Sequence, residues 1–214
     1  MSSTQPQGAD GHYFSESPET PEKPRYVEFT VAGRWLRLHS AAGVFSGDRL
    51  DPGTAVLLRK APLPTGPGDY LDLGAGYGPI ACALATQTPT GRVYAVDVNT
   101  RALRLVRRNA DELGLADRLT AATPEQLPAD LRFDQIWSNP PIRIGKPALR
   151  QLLATWLPRL KPDGVAWLVV ARNLGGDSLA DWLTGEGWRV QRHASQKGYR
   201  IFAVRPAEVP GHIR

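Results

Sequence analysis

Apolar positions along the chain change their period twice. Between Tyr26 and His39 they alternate, as Val27, Phe29 and Val31, and resume after Gly33 as Trp35, Leu36 and Leu38. Strict alternation broken by a glycine turn predicts a β-hairpin with one buried face. The stretch AAGVFSGDRLDPGTAVLLRKAP then reads as a glycine-rich loop running into a short helix near residues 53 to 60. From Asp69 onward, short apolar runs alternate with segments of helical period. DYLDLGAG and RVYAVDV read as strands, and PIACALATQ as a helix with Pro79 in its first turn, where proline is tolerated. TRALRLVRRNADELG sets apolar residues at 102, 103, 106, 110 and 113 on one side, a helix with one face turned inward. LTAAT and FDQIWSN read as two more strands, followed by a helix from about Pro147 to Leu160. KPDG reads as a turn into the apolar strand GVAWLVVA, DSLADWLTGEG as a short helix, and WRVQRHASQKGYRIFAVR as an antiparallel hairpin around Lys197-Gly198. Alternating strands and helices with apolar strands predict a mostly parallel sheet covered by helices on both faces.

The expected fold is therefore α/β: a three-layer sandwich around a seven-stranded sheet, with an antiparallel C-terminal hairpin and an N-terminal β-hairpin extension. Residues 1–24 are polar and rich in Ser, Pro, Glu and Gly, which predicts a flexible segment; 25–60 form the extension, 61–206 the main domain and 207–214 a tail. With 214 residues the chain is long enough to bury one substantial core. No apolar run approaches the roughly 20 residues of a membrane helix, and the N-terminus lacks the cationic and apolar regions of a secretory signal. These features predict a cytoplasmic protein. Cys82 is the single cysteine, which excludes an internal disulfide and a cysteine-based metal site and predicts a small buried helix residue. The four histidines show no metal spacing, so no metal is expected, and nothing resembles a Ser-His-Asp or Cys-His site.

Charge is unevenly spread. From Arg143 to the C-terminus there are 12 Lys and Arg against 5 Asp and Glu, whereas the preceding 142 residues carry 14 against 16. The asymmetry fits either a face turned toward an anionic partner such as nucleic acid, or a solvated basic surface.

The chemistry concentrates where strands end. Asp72-Leu73-Gly74-Ala75-Gly76-Tyr77-Gly78 closes the first strand of the alternating region. Glycines there allow a tight turn and bring backbone against a ligand. A dinucleotide fingerprint needs G-x-G-x-x-G; here the spacing is G-x-G-x-G, with Pro79 where the third glycine would stand. Asp72, two positions before the first glycine, would repel a pyrophosphate but suits an ammonium. Asp97 closes the second strand, where a carboxylate can accept both hydroxyls of a ribose. Ribose, adenine and a zwitterionic amino acid without phosphate describe S-adenosyl-L-methionine, which this pattern favours over NAD.

DLGAGYGPIA, AVDVN and SNPPI, in that order, resemble the motifs of the class I S-adenosylmethionine-dependent methyltransferases, which are Rossmann-like. With GVFSGDRLDPGTAVLL upstream and GYR in the terminal hairpin, the chain is similar to the small-domain subgroup, from about His12 to Arg205. That subgroup includes 16S rRNA guanine-N2 methyltransferases. The resemblance implies that Asp72, Gly74, Gly76 and Gly78 lie beside the methionine moiety, that Asp97 holds the ribose and that Val98 flanks the adenine. The third strand normally presents an acidic side chain to the adenine amine; Thr123 and Glu125 stand there instead. Phe45 and Ser46 would lie in a loop covering the site, although Phe45 equally suits core packing.

Asn139-Pro140-Pro141 suits methylation of an exocyclic amine, whose lone pair is delocalised into its ring. Acceptors for its two N–H bonds, the Asn139 carbonyl oxygen and the Pro140 main-chain oxygen, would hold it tetrahedral and stabilise the developing positive charge. Proline stiffens the loop and sets its carbonyl direction in advance. Nitrogen methyltransferases often carry an aromatic residue after the prolines to stack on a base; Ile142 takes that place, leaving stacking to Phe45, Tyr77 or Tyr199. Arg143 and Lys146 follow directly, and Arg189, Arg192, Lys197 and Arg200 lie on the terminal hairpin, where they would bind phosphates if both groups face the active-site rim. Pro141, Tyr199 and Arg200 complete the expected substrate contacts. The expected function is transfer of a methyl group to N2 of a guanine in RNA, with rRNA or a ribosomal subunit as partner. Methylation of a protein glutamine or a small molecule, and a non-catalytic cofactor-binding scaffold, remain alternatives. Some enzymes of the subgroup carry a second, degenerate domain copy that helps bind rRNA; a chain of this length has no room for one, which puts recognition on the extension, the basic hairpin or a partner.

Overall fold

The computed structural model describes residues 24–41, 49–141 and 144–207. Strands β1 (Pro24–Val31) and β2 (Arg34–Ala41) pair antiparallel with Val27 opposite Leu38 and Phe29 opposite Leu36. Ala32 and Gly33 both take positive φ, the backbone a tight two-residue hairpin demands. Helix α1 (Pro52–Lys60) starts at the N-cap Asp51, whose side chain accepts from the Thr54 N–H at 2.9 Å, with Pro52 in the first turn.

The elements then alternate as β3 (Asp69–Leu73), α2 (Pro79–Gln87), β4 (Arg92–Val96), α3 (Thr100–Glu112), β5 (Leu119–Ala122), β6 (Phe133–Ser138), α4 (Lys146–Trp156), β7 (Leu160–Ala171), α5 (Gly176–Gly185), β8 (Arg189–Gln196) and β9 (Tyr199–Arg205). The main sheet has seven strands in the order β5-β4-β3-β6-β7-β9-β8. Pairings from β5 through β7 are parallel, and those of β9 with β7 and β8 are antiparallel. Chain direction across the sheet reverses at β3, so the ends of β3, β4 and β6 frame the switch-point crevice where ligands bind in open α/β sheets.

Two apolar layers cover the sheet. On one face α1, α2, α3 and the hairpin contribute Leu36, Leu38, Leu57, Leu84 and Val106. On the other, α4 and α5 contribute Leu149, Leu153, Leu179 and Leu183. On α3 the expected inward residues Ala102, Leu103, Val106 and Ala110 are buried. Cys82 is a buried free thiol within α2. Among the described helices none is long and apolar enough to cross a membrane.

Two boundaries differ from expectation. Helix α4 stops at Trp156 and tightens into a 3₁₀ turn over Leu157–Arg159, because Pro158 lacks the N–H to continue the ladder. KPDG is a bulge inside β7 instead of a turn before it: Phe133 pairs with Leu160, but Gln135 pairs with Val165. Lys161 pins that bulge by donating to Asp134 at 2.7 Å, with Asp69 also in reach at 3.5 Å.

Candidate active site

At the end of β3 the Gly74 and Ala75 N–H groups both donate to the Val96 carbonyl, at 2.9 and 3.0 Å, which curls the turn over the tip of β4. Gly74 and Gly76 have φ of 76° and 57°. Among the described residues, a Cβ on Gly74 would meet only Pro141 Cδ at 3.9 Å, and one on Gly76 would meet nothing within 4 Å. No described side chain covers the outer surface of the turn, and bare backbone faces it. Gly78 differs, since a Cβ there would come within 3.1 Å of Val106 on α3. Its glycine serves the close approach of helix and turn more directly than a ligand.

Asp97 is clasped by the protein itself. One carboxylate oxygen accepts from the Gly76 N–H at 2.8 Å and the other from the Asn99 N–H at 2.9 Å. Burial raises its pKa, and these backbone donors act in the opposite direction. The Val98 N–H is a third backbone donor to this carboxylate, whose roughly four lone-pair sites leave room for a hydroxyl. The next residue, Val98, is one of the few large apolar side chains left exposed, at 40%. Thr123 caps the 3₁₀ turn Pro124–Gln126 in a reciprocal pair with Gln126, so its hydroxyl already accepts one hydrogen bond, while Glu125 is exposed.

Asp72 is wholly buried. Its Oδ2 accepts from the Ala81 N–H at 2.9 Å in the first turn of α2, and its Oδ1 has no partner. Burial pushes its pKa up to about 8, with the Asp97 charge adding to the rise. The expectation that Asp72 meets an ammonium narrows to that single unpartnered atom.

The second half of the site is the loop after β6. Ser138 anchors it by donating to the Leu73 carbonyl at 2.8 Å. Asn139 Nδ2 donates to Asp51 Oδ1 at 2.6 Å and to Thr54 Oγ1 at 3.1 Å. A carboxylate is acceptor-only, so it dictates which end of the amide turns toward α1 and leaves Oδ1 as the end available to another donor. Pro140 is buried, and Pro141 abuts Gly74. The glycine turn and the Asn-Pro-Pro loop thus form adjoining walls.

Tyr199 joins these walls from the far end of the chain. Its ring packs on α1 so closely that a Cβ on Gly53 would lie 2.9 Å from both Tyr199 Cε1 and Asp51 Oδ1. Burial and the nearby Asp51 charge raise the Tyr199 pKa. Tyr77 does not serve as a stacking surface: it is 2% exposed and part of the core. Phe45, Ser46, Ile142, Arg143 and His12 lie outside the described residues. The basic residues divide into two sets. Lys146 opens α4 beside the site, and Arg200 and Lys197 lie at the tip of the terminal hairpin, at the same end of the strands as Asn139. Arg189 starts β8 opposite Arg205, at the other end of the strands, and so does not face the site.

The residues without an assigned role in the sequence are Asp51, Thr54 and Asn109. Asn109 of α3 accepts from the His39 N–H at 2.7 Å and donates to the carbonyls of His39 and Tyr77 at 3.0 and 2.9 Å, which ties the N-terminal hairpin to the glycine turn. Asp51-Pro-Gly-Thr does signal a helix start, but a linear pattern carries no sign that the cap also holds a side chain 88 positions away.

Residues 35–203 match the family model of the methyltransferase small domain. The chain belongs to that family. It is similar to the Bacillus subtilis protein YbxB, 29% identical over 91% of this chain and 98% of that protein. It is also similar to the ribosomal RNA small subunit methyltransferase C of Shewanella loihica, 32% identical over 85% of this chain and 52% of the relative. Among solved structures, the T. thermophilus 16S rRNA N2 methyltransferase RsmC, in complex with AdoMet and guanosine, superimposes with a TM-score of 0.73. The two share 26% identity over 88% of this chain and 52% of that one. The methyltransferase thus spans nearly all of YbxB and about half of these rRNA enzymes.

The protein is an S-adenosylmethionine-dependent methyltransferase. Its residues fit that cofactor on their own geometry. Backbone is bare above Gly74 and Gly76, Asp97 stands at the β4 tip with lone pairs to spare, and an exposed apolar Val98 flanks the space.

Proposed function

We propose that this methyltransferase modifies N2 of a guanine in ribosomal RNA. The observation that carries the reading is the orientation of Asn139: its amide nitrogen is held by Asp51 and Thr54, so its carbonyl oxygen is the end presented for a donor. A guanine exocyclic amine is such a donor. S-adenosylmethionine supplies an electrophilic methyl group on a sulfonium. Asp97 and the backbone at Gly74 and Gly76 would hold it, Val98 would pack on its base, and Thr123 would border that end. Asn139 Oδ1 and the Pro140 carbonyl take the two amine N–H groups, which keeps the nitrogen pyramidal with its lone pair directed at the methyl. The N–C bond would form as the sulfur–methyl bond breaks, the neutral thioether S-adenosylhomocysteine would leave, and water would accept the amine proton, so no strong base is required. Similarity to rRNA methyltransferases, one of them described with AdoMet and guanosine, supports the substrate class.

The test is incubation of the protein and tritiated cofactor with separate pools of ribosomal subunits, tRNA and protein extract, followed by digestion of labelled RNA to nucleosides. The expected product is N2-methylguanosine from a ribosomal subunit. Label confined to protein overturns the reading in favour of a glutamine or other protein amide, and no label in any pool leaves a binding scaffold.

A further inference from the structure

The tip of the C-terminal hairpin carries a cleft that the methyl-transfer site does not use. It has a volume of about 430 Å³ and is lined by Arg172, Arg192, Lys197 and Arg200, together with Ser195 and the start of β9. Among the described residues no carboxylate lines it. Arg200 is paired with Asp177 of α5. Arg172, Arg192 and Lys197 are exposed and make no ion pair among the described residues. Three uncompensated cations around one concavity repel each other, and that arrangement is relieved by an anion.

The cleft's position relates it to the catalytic loop. Tyr199 borders it and, through its ring on Gly53, touches the helix start that holds Asn139. The Arg172 N–H donates to the Gly198 carbonyl at 2.8 Å, which locks the turn after β7 onto the hairpin tip. Lys146 lies between: its Cε is 3.8 Å from where a Cβ of Gly175 would stand, on the same turn as Arg172. Strand β9 is two strands from β6, roughly 10 Å at about 4.8 Å per strand. A few nucleotides of backbone cover that distance.

We infer that this cleft grips the phosphate backbone of the RNA strand beside the target base, through Arg172, Arg192 and Lys197, with Lys146 leading toward the catalytic loop. The inference rests on the proposed RNA substrate. An extended polyanion is favoured over a lone phosphate because Lys146, outside the cleft and beside Gly175, continues the cations from the hairpin toward the acceptor loop. Phosphate contacts of this type fix register and carry no base preference.

The experiment compares the intact protein with a triple variant, Arg172→Gln, Arg192→Gln and Lys197→Gln, in binding a fluorescently labelled single-stranded RNA over a salt series. Each phosphate contact to a single strand contributes a slope of about −0.7 in log K against log salt. The triple variant should flatten the slope by about 2 and weaken binding by about tenfold or more at moderate salt. Affinity for S-adenosylmethionine should be unchanged. Arg205→Gln, at the opposite end of the hairpin, should leave both slope and affinity as they are. An unchanged slope in the triple variant, or an equal loss in Arg205→Gln, overturns the inference. So does displacement of the RNA by inorganic phosphate at matched ionic strength, which would mark a free-phosphate site. Because the readout is binding, a flattened slope with no methyl transferred to any RNA would sink the proposed reaction and leave the cleft standing.

Discussion

Asn139 carries the proposed chemistry, and the structure divides its amide into a held end and a free end. Asn139→Ala should lower transfer by about 10²–10³-fold, with cofactor affinity unchanged by calorimetry. Asp51 permits a finer test. Asp51→Asn keeps a good helix cap but replaces a charged acceptor by a neutral one of either orientation. Turnover should fall by about 5- to 10-fold, the difference between charged and neutral hydrogen bonds, while the melting temperature hardly moves. Equal losses of stability and turnover would reduce Asp51 to a cap. Asp72 gives a pH signature. Its carboxyl titrates near pH 8 in the folded chain and near the ordinary value of 3.8 when unfolded. The folded state therefore binds the extra proton in between, and stability falls as pH rises from about 4 through 8. Asp72→Asn removes that penalty, so the variant should gain stability relative to the parent at pH 9 compared with pH 5, measured by urea denaturation.

At the scale of elements, the alternation of strands and helices was legible because each carries its own period and each boundary its own glycine or proline. DLGAGYG and SNPP mark the two walls of the site because the carboxyl ends of parallel strands lie at one end of the sheet. What was not legible depended on contacts between distant elements. The hold of Asp51 on Asn139, the stacking of Tyr199 on Gly53 and the hub at Asn109 have no local signature. The bulge in β7 was missed because Lys-Pro-Asp-Gly spells a turn, while the Lys161 contacts with Asp134 and Asp69 keep it in the sheet. Gly53→Ala tests the junction between α1 and β9: its Cβ must displace Tyr199 or Asp51, at a cost of about 1–3 kcal/mol. Transfer should drop along with the melting temperature, whereas Gly33→Ala in the remote hairpin turn, where a Cβ meets nothing within 4 Å, should leave transfer intact.

For the molecule as a whole, the N-terminal hairpin, the glycine turn and α3 meet at one buried amide. Asn109→Ala strands the His39 N–H and the carbonyls of His39 and Tyr77. Loss of about 2 kcal/mol or more corresponds to a melting temperature lower by roughly 4–8 °C for a domain of this size. Weaker S-adenosylmethionine binding should accompany it, because the Tyr77 carbonyl belongs to the turn that receives the cofactor. The charge asymmetry read from the sequence acquires a location in the same way: part lies at the end of the strands that carries Asn139 and part, at Arg189 and Arg205, at the opposite end. The insertion of β9 between β7 and β8 has a further result. Residues 51, 139 and 199 meet only when this late strand slots into place, after every parallel strand has been laid down. During synthesis on the ribosome, the nascent chain can therefore complete its parallel strands and still lack a fully braced acceptor loop, so that catalytic competence trails the formation of the parallel sheet.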